Sequence, residues 1–137
     1  MRIHNDYLTV QTKQKREFQN ITENVKHAME KSGITEGMVL VAVLHPNSAV
    51  FLNEDEPGLI QDAEQWLEQI APVNHEYMHG SKFESNAAIH LQSLLLGSQV
   101  IVAINAGHLE LGPWQQVIYA ELDGTRPKRI LIKVMGE

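Results

Sequence analysis

The last third of the chain most constrains its fold, because three strand-like runs follow one another there with no helix between them. The runs are SQVIVAIN, WQQVIYAEL and KRILIKVMG, each rich in valine, isoleucine or leucine. Turn-forming residues separate them at Gly107, Gly112–Pro113 and Asp123–Gly124, and the last break is typical of a hairpin. Consecutive strands joined by short turns pair antiparallel, so this region predicts an antiparallel sheet and not repeated βαβ units.

Strands and helices share the first two thirds of the chain. DYLTVQTK and SAVFLNE are predicted strands, and MVLVAVLH (Met38 to His45) is a valine-rich run that indicates a strand buried on both faces. A first helix is predicted from an Asn20 cap, with Glu23 as its capping-box partner, to a stop at Gly33. Its predicted buried residues are Ile21, Val25, Ala28 and Met29.

Two more helices are predicted before the strand-rich region. Asp55–Pro57 offers a cap and a first-turn proline for the second helix, which ends at Pro72. The third runs from a cap at Ser85 or Asn86 to a stop at Gly97. Their predicted buried faces are Leu59, Ile60, Ala63, Trp66, Leu67 and Ile70, and then Ala87, Leu91, Leu94 and Leu95. The prediction is therefore a single α+β domain over residues 1–137, with largely antiparallel β-sheets and two to three helices.

Composition and charge exclude several classes of function. The chain has 137 residues and no cysteine, which excludes thiol nucleophiles, disulfide frameworks and cysteine-ligated zinc. A formal net charge of −6 argues against binding along a nucleic-acid backbone. No run approaches the roughly 20 apolar residues of a membrane-spanning helix, and MRIHNDYLTV lacks the apolar region of a secretory signal. We therefore expect a cytoplasmic protein that binds neither nucleic acid nor membrane.

Histidines are concentrated around one loop of the sequence. His75, His79 and His90 lie between Pro72 and Gly97, and His45 stands at the exit of the valine-rich strand. Imidazole titrates near neutral pH and is the commonest metal ligand. The spacing matches no compact metal motif such as HExxH, so a structural or surface role for each histidine stays the simpler alternative.

Charged residues near two turns are further candidates. Asn53 and Glu54 can present an amide and a carboxylate to a site, or they can simply favour the dipole at the start of the next helix. Arg126, Lys128 and Arg129 lie around the turn DGTRPKR. Solvated charge is the default prediction for these three turn residues, but the planar arginine fork also suits phosphate oxygens.

A set of short motifs resembles the YjbQ family, described as secondary thiamine-phosphate synthases. The motifs are His45, NE at 53–54, YMH at 77–79, NAAIH at 86–90, LLLGSQVIV, GHLELGPWQQV and DGTRPKR. They cover essentially the full length, and the most specific segment is G-x-L-x-L-G-x-W-Q from Gly107 to Gln115. The resemblance implies a compact α+β subunit with a YjbQ-like fold that assembles as a homotrimer, with its sheets around the threefold axis.

The resemblance also implies an activity and a set of site residues. The activity joins a hydroxymethylpyrimidine diphosphate to a thiazole phosphate with release of diphosphate, as a side activity beside an unknown physiological role. The catalytic residues so implied are His45, Glu54, His79 and His90. The implied substrate-binding residues are Asn53, Asn86, Trp114, Gln115, Arg126 and Arg129, and the metal ligands are His45, His79 and His90.

The chemistry of these residue types bears on the cofactor. Loss of diphosphate leaves a cation-like carbon, so such a site needs cationic groups or a metal for the leaving group and must exclude water. Mg²⁺ prefers oxygen ligands, whereas three imidazoles favour Zn²⁺ or plain hydrogen bonding. Two alternatives stay open: a non-catalytic oligomer that binds a metal or a small molecule, and a histidine-metal hydrolase acting on a phosphorylated or cyclic substrate.

Overall fold

The computed structural model contains two β-sheets and three α-helices, and it describes residues 1–80, 86–124 and 126–137. The strands are β1 (Arg2–Val10), β2 (Glu17–Asn20), β3 (Gly37–Val43), β4 (Ser48–Asn53), β5 (Gln99–Asn105), β6 (His108–Leu109), β7 (Gln116–Glu121) and β8 (Lys128–Gly136). The helices are α1 (Thr22–Ser32), α2 (Pro57–Ile70) and α3 (Ala87–Leu96). The predicted α+β class is confirmed. Within the described residues, no helix is both long and apolar enough to cross a membrane.

The two sheets stack to form the body of the protomer. Sheet A has the strand order β1-β8-β3-β5-β6 and sheet B the order β2-β7-β4, with antiparallel pairing throughout. Side chains of a strand alternate between its two faces, and the inward valines and isoleucines of both sheets form one core with the buried face of α1. The sequence therefore determines the interior of the sandwich through its period-two pattern.

The hairpin predicted at Asp123–Gly124 is wrong. β7 belongs to sheet B and β8 to sheet A, so this turn carries the chain from one sheet to the other. A turn motif indicates only that the chain reverses direction, whereas strand pairing is decided by tertiary packing. The strand predicted from Trp114 also starts later, because β7 begins at Gln116 and Trp114 lies in the preceding turn. The short strands β2 and β6 were not predicted.

The predicted helix ends lie close to the observed ones, but the predicted capping box of Asn20 and Glu23 is wrong, because Ile21 is the N-cap of α1 and no side chain caps it. Asn20 lies one residue before the N-cap, and its Oδ1 accepts hydrogen bonds from the backbone N–H (3.0 Å) and the hydroxyl (2.7 Å) of Thr22. Gly33 ends α1 in the left-handed conformation, with φ of 71°. Glu56 is the N-cap of α2 and accepts hydrogen bonds from two backbone amides of the first turn, with Pro57 as the first helical residue.

The burial predicted for the strand at Met38 to His45 is complete on one face only, since Ala42 alone is buried on the other. Val39, Val41 and Val43 point into the core and are buried. Met38 and Leu40, on the opposite face, are partly exposed, because the outer face of sheet A is open to solvent in the protomer. A continuous apolar run therefore does not by itself show that both faces are covered within one chain.

The helices α2 and α3, which we call the helix layer, pack on sheet B and form a third layer. Ile89 and Leu96 of α3 contact the face of sheet B that contains Ala49, Ala120 and Leu122. Of the six residues predicted to be buried on α2, only Leu67 is buried. Because this layer has sheet on one side only, most of its apolar residues remain accessible.

The buried face predicted for α3 is largely wrong. Ala87 is buried as predicted, but the face with Leu91, Leu94 and Leu95 is exposed. Gln92 and Ser93 are buried in place of the leucines. The Gln92 amide donates to two backbone carbonyls at the C-terminal end of α2, at 3.3 and 2.9 Å, and the Ser93 hydroxyl donates to a carbonyl of β4 at 2.6 Å. Specific hydrogen bonds therefore fix the orientation of α3.

The N-terminus of α3 was predicted to carry a side-chain cap at Ser85 or Asn86. Asn86 is the N-cap residue, although its side chain makes no capping hydrogen bond there. Ser85 lies outside the described residues. Gly97 follows the last turn of α3, as predicted.

Candidate functional site

His79 and His90 lie together at the start of α3. Their ring centroids are 5.3 Å apart with an edge-to-face geometry, and His79 Nε2 is 3.1 Å from Asn86 Oδ1. Asn86 and His90 are one helical turn apart and therefore share a face of α3. Both histidines line a cavity of about 390 Å³, the histidine cavity, whose other lining residues are Tyr77, Met78, Ala87 and Leu91.

The backbone at the exit of β3 fixes the orientation of the His90 ring. His90 Nδ1 is 3.2 Å from the carbonyl oxygen of Pro46. A carbonyl oxygen only accepts hydrogen bonds, so Nδ1 carries the proton and Nε2 is the acceptor or ligand nitrogen of the neutral ring. His90 also lines a second cavity of about 360 Å³, with Pro46, Ser93 and Leu94. The His90 ring thus connects two adjoining cavities.

His45 lies one residue before that carbonyl and has a different environment. Its Nδ1 accepts a hydrogen bond from the backbone N–H of Asn47 at 3.1 Å, so Nε2 carries the proton of the neutral ring. Burial, followed by the positive charges of Lys128 and Arg126, lowers the pKa of His45 below its ordinary value of 6.5. His45 is therefore a neutral imidazole at pH 7, although the carboxylates of Glu121 and Asp123 act in the opposite direction to the two cations.

A buried ion pair lies behind His45, between the two sheets. Lys128 of β8 is 3% exposed, and its ammonium donates to the carboxylate of Glu121 in β7 and to the carbonyl of Asp123. The Tyr119 hydroxyl donates to the same carboxylate at 2.9 Å, and burial together with this carboxylate raises the pKa of Tyr119. The prediction that Lys128 is a solvated turn residue is wrong, because strand alternation turns it inward with Ile130.

The other cations of this region form a basic end of the molecule. Arg126 and Arg129 are exposed, and the loop with Lys13 and Lys15 lies against the same turn, since Gly124 N–H donates to the Lys15 carbonyl at 2.8 Å. We call these four exposed cations the basic end. The exit of β3, where His45 lies, is at the same end of the molecule as these cations. The contact between His90 and the Pro46 carbonyl is adjacent to it.

The remaining predicted site residues lie at the opposite end of sheet B. Asn53 pairs with Gln116 at the start of β7, whereas the histidines lie beyond Glu121 at its other end. Five residues of strand span about 17 Å. Asn53 and Glu54 line a largely apolar groove of about 520 Å³ between α2, β4 and α3.

The motif residues before β7 also lie at this far end. Trp114 is 74% exposed, and the Gln115 amide oxygen accepts a hydrogen bond from the Gly112 N–H at 2.9 Å. The structure therefore brings His79, Asn86 and His90 together, with His45 and Arg126 nearby. It does not bring Asn53, Glu54, Trp114 or Gln115 to the histidine cavity of the same protomer.

The zinc prediction can be compared with the donors available in one protomer. Zinc sites in proteins use at least three protein ligands with Zn–N bonds of about 2 Å. Among the described residues, no group of three or more His, Cys, Asp or Glu side chains converges, and the histidine cavity contains two imidazoles. A three-histidine site of His45, His79 and His90 thus does not form within the described part of one protomer. Zinc binding stays a prediction.

Sequence reasoning missed the buried network that supports His45. Glu121 follows Val117 and Tyr119 at intervals of two, so strand alternation places it on the same inward face. That spacing was a signal for a buried carboxylate, which requires a partner such as Lys128. The Pro46 carbonyl that orients His90 had no signal in the sequence, because a backbone contact across 44 residues depends on the tertiary fold.

Comparison with known proteins gives a consistent family assignment. The model of the family described as UPF0047 protein YjbQ-like matches residues 6–137. A UPF0047 protein of Methanothermobacter thermautotrophicus is 38% identical over 137 residues, which cover 100% of this chain and 95% of that protein. The UPF0047 protein YugU of Bacillus subtilis is 31% identical over 130 residues, covering 94% of this chain and 97% of that protein.

A solved structure has the same fold. The crystal structure of a YbjQ-like protein of unknown function from Sulfolobus solfataricus is 31% identical, with a TM-score of 0.94 and coverage of 99% of each chain. The matched residues include the whole histidine cavity and the turn around Arg126. The chain therefore belongs to the UPF0047 (YjbQ-like) family.

Proposed function

We propose that the chain forms a homotrimer and binds a small phosphorylated molecule in the histidine cavity, beside the basic end. The observation that supports this most is the fixed His90 ring, held by the Pro46 carbonyl with His79 against it. A mostly apolar cavity with a few convergent polar groups is typical of small-molecule sites. The proposed ligand is an anion because Arg126 and neutral His45 are nearby.

The proposed chemistry is transfer of the thiamine-phosphate synthase type, as a side activity. Release of diphosphate from a pyrimidinylmethyl carbon separates charge, and cationic donors stabilise the departing oxygens. Arg126 is the proposed partner for those oxygens. His90 Nε2 can accept a proton or a hydrogen bond from the pyrimidine, and the protonated ring can donate a charge-assisted hydrogen bond from Nε2 to a phosphate oxygen while Nδ1 still donates to Pro46.

His45 has a separate role in this proposal. Its neutral form has a protonated Nε2 that donates to a phosphate oxygen. An incoming anion offsets the positive field of Lys128 and Arg126, which raises the proton affinity of His45. Ligand binding below neutral pH is therefore expected to take up a proton. Glu54 and Trp114 are not assigned to this cavity, because they lie at the opposite end of sheet B.

Calorimetric titration tests the binding part of the proposal. We expect diphosphate and thiamine phosphate to bind the wild-type protein, and His90→Gln to weaken both about tenfold, the scale of one charge-assisted hydrogen bond. His108→Gln is the matched control, since His108 is an exposed histidine in β6. Equal affinities for the wild type and His90→Gln would contradict the assignment of the cavity.

Product analysis tests the catalytic part. Incubation with hydroxymethylpyrimidine diphosphate and thiazole phosphate should give thiamine phosphate and diphosphate, detected by mass spectrometry, and Arg126→Gln should lower the rate. Tight binding without product would leave a binding protein and would contradict the transfer activity.

A further inference from the structure

The outer face of sheet A combines apolar residues with positive charge. Its side chains are Ile3, Asn5, Tyr7 and Thr9 of β1, Arg129, Leu131, Lys133 and Met135 of β8, Met38, Leu40 and Ala42 of β3, and Gln99, Ile101, Ala103 and Asn105 of β5. Ile101, near the centre, is 61% exposed. The guanidinium of Arg129 lies 4.2 Å from the Tyr7 ring centroid. Strands β1, β8, β3 and β5 contribute two cations and no acidic residue to this face, and Glu110 lies at its edge, next to β6.

The outer surface of the helix layer has the opposite charge. Leu91, Leu94 and Leu95 of α3 form an exposed apolar ridge, and Leu94 is 81% exposed. The α2 segment contributes Trp66 and Ile70, both about half exposed. The sequence from 54 to 76 contains seven acidic residues, Glu54, Asp55, Glu56, Asp62, Glu64, Glu68 and Glu76, and neither it nor α3 contains a lysine or arginine.

We infer that the helix layer of one copy docks on the outer face of sheet A of the next copy, so that Arg129 of the neighbouring chain completes the histidine cavity. Each surface is apolar at its centre, and their charges are of opposite sign, which favours this pairing over like-with-like contacts. Because the two surfaces differ, the contact is heterologous, and a heterologous contact gives a closed ring when its rotation is 120°, as in the proposed trimer.

Position along the strands brings Arg129 to His90. Both residues lie at the end of the sandwich where β3 ends and β8 begins. In the inferred ring the axis runs along the strands, and rotation about that axis keeps each residue at the same height, so that Arg129 of one chain meets His90 of its neighbour. Within one chain they cannot meet, because Arg129 lies outside sheet A and the stacked sheets alone are about 10 Å apart.

The identity of the ligand in this composite site rests on the proposed function, but the docking does not. The chain has no native cysteine, so cross-linking can test the docking without any ligand. We expect Leu94→Cys and Ile101→Cys chains, co-expressed with different tags, to be joined by a short bismaleimide. Neither variant should cross-link when expressed alone. A chain that carries both substitutions should give covalent products up to the trimer and no larger.

The matched control pairs Leu94→Cys with His27→Cys, an exposed position on α1 that lies on neither surface. No cross-link is expected for this pair. Cross-linking of Leu94→Cys with itself would overturn the heterologous contact, and failure of the Leu94→Cys and Ile101→Cys pair would overturn the docking.

Mixed oligomers test the contribution of Arg129. His90→Gln and Arg129→Gln each remove one side of the composite site. The two variants are co-expressed with different tags, and trimers purified by both tags are titrated with inorganic diphosphate. In trimers that carry both tags, about one site in three regains wild-type affinity if the two residues come from different chains, and none does if they come from one chain. Absence of restored sites would overturn the shared site. Absence of diphosphate binding by the wild type would instead contradict the proposed function, and the cross-links would still decide the docking.

Discussion

The interior of the sandwich and the helix layer differ in the side chains that they bury. Between the sheets, inward positions contain valine and isoleucine. The one ion pair found there among the described residues joins Lys128 to Glu121 within the chain. In the helix layer, Gln92 and Ser93 are buried while Leu94 and its neighbours are exposed. The sandwich is complete within one chain, whereas the helix layer presents an apolar surface of the kind that marks an interaction site.

Removing the buried cation should have the largest effect on stability. Lys128→Met leaves Glu121 buried without its partner, and breaking a buried pair in this way costs about 3 to 5 kcal/mol of unfolding free energy. Denaturant unfolding measures the change. Arg129→Met is the matched control, and it should cost about 1 kcal/mol or less, since its contact with Tyr7 is exposed. Equal effects of the two substitutions would show that the buried pair does not stabilise the sandwich.

Replacing a buried polar residue of α3 by an apolar one should give the next largest effect on stability. Gln92→Leu leaves the Ala71 carbonyl without its side-chain donor and the Arg16 guanidinium without its Gln92 acceptor, and we expect a loss of about 1 to 3 kcal/mol of unfolding free energy although the new residue is apolar. Leu94→Gln should leave the fold of the single chain unchanged. Thermal unfolding of both variants, followed by circular dichroism in dilute solution, makes the comparison. A stabilising Gln92→Leu would contradict the orientation of α3.

Acidification should have the smallest effect, and it acts at the sandwich end near His45. The pKa of His45 is lowered in the folded chain, so between that pKa and about 6.5 the unfolded chain binds more protons. Stability should therefore fall as the pH drops below about 6.5. His45→Gln should remove this part of the pH dependence, as read from denaturation midpoints. An unchanged pH profile in His45→Gln would assign the dependence to another group.

The local sequence pattern was sufficient to predict burial and helix ends where each side chain packs against a single layer of the fold. The valine-rich run Met38 to His45 correctly predicted the strand β3, and Gly33 and Glu56 matched the chemistry of helix ends. Local pattern failed for α3, where the buried face is chosen by hydrogen bonds from Gln92 to a helix 21 to 25 residues away.

The candidate site shows the same limit. The family motifs name the residues of the site, but spacing along the chain cannot show which of them meet. Trp114 and His90 are 24 residues apart in the sequence and lie at opposite ends of sheet B. These two motif residues are separated by about the length of a strand, and this distance is visible only in the folded sheets.

The mass of the particle in solution tests the central claim most directly. Light scattering at micromolar concentration should give three times the 15.4 kDa mass of one chain. Leu94→Lys, which places a cation opposite the cations of sheet A, should give the mass of one chain with an unchanged circular dichroism spectrum. His27→Lys, on α1, should remain a trimer. A monomeric or dimeric wild type, or a Leu94→Lys variant that stays trimeric, would contradict the account.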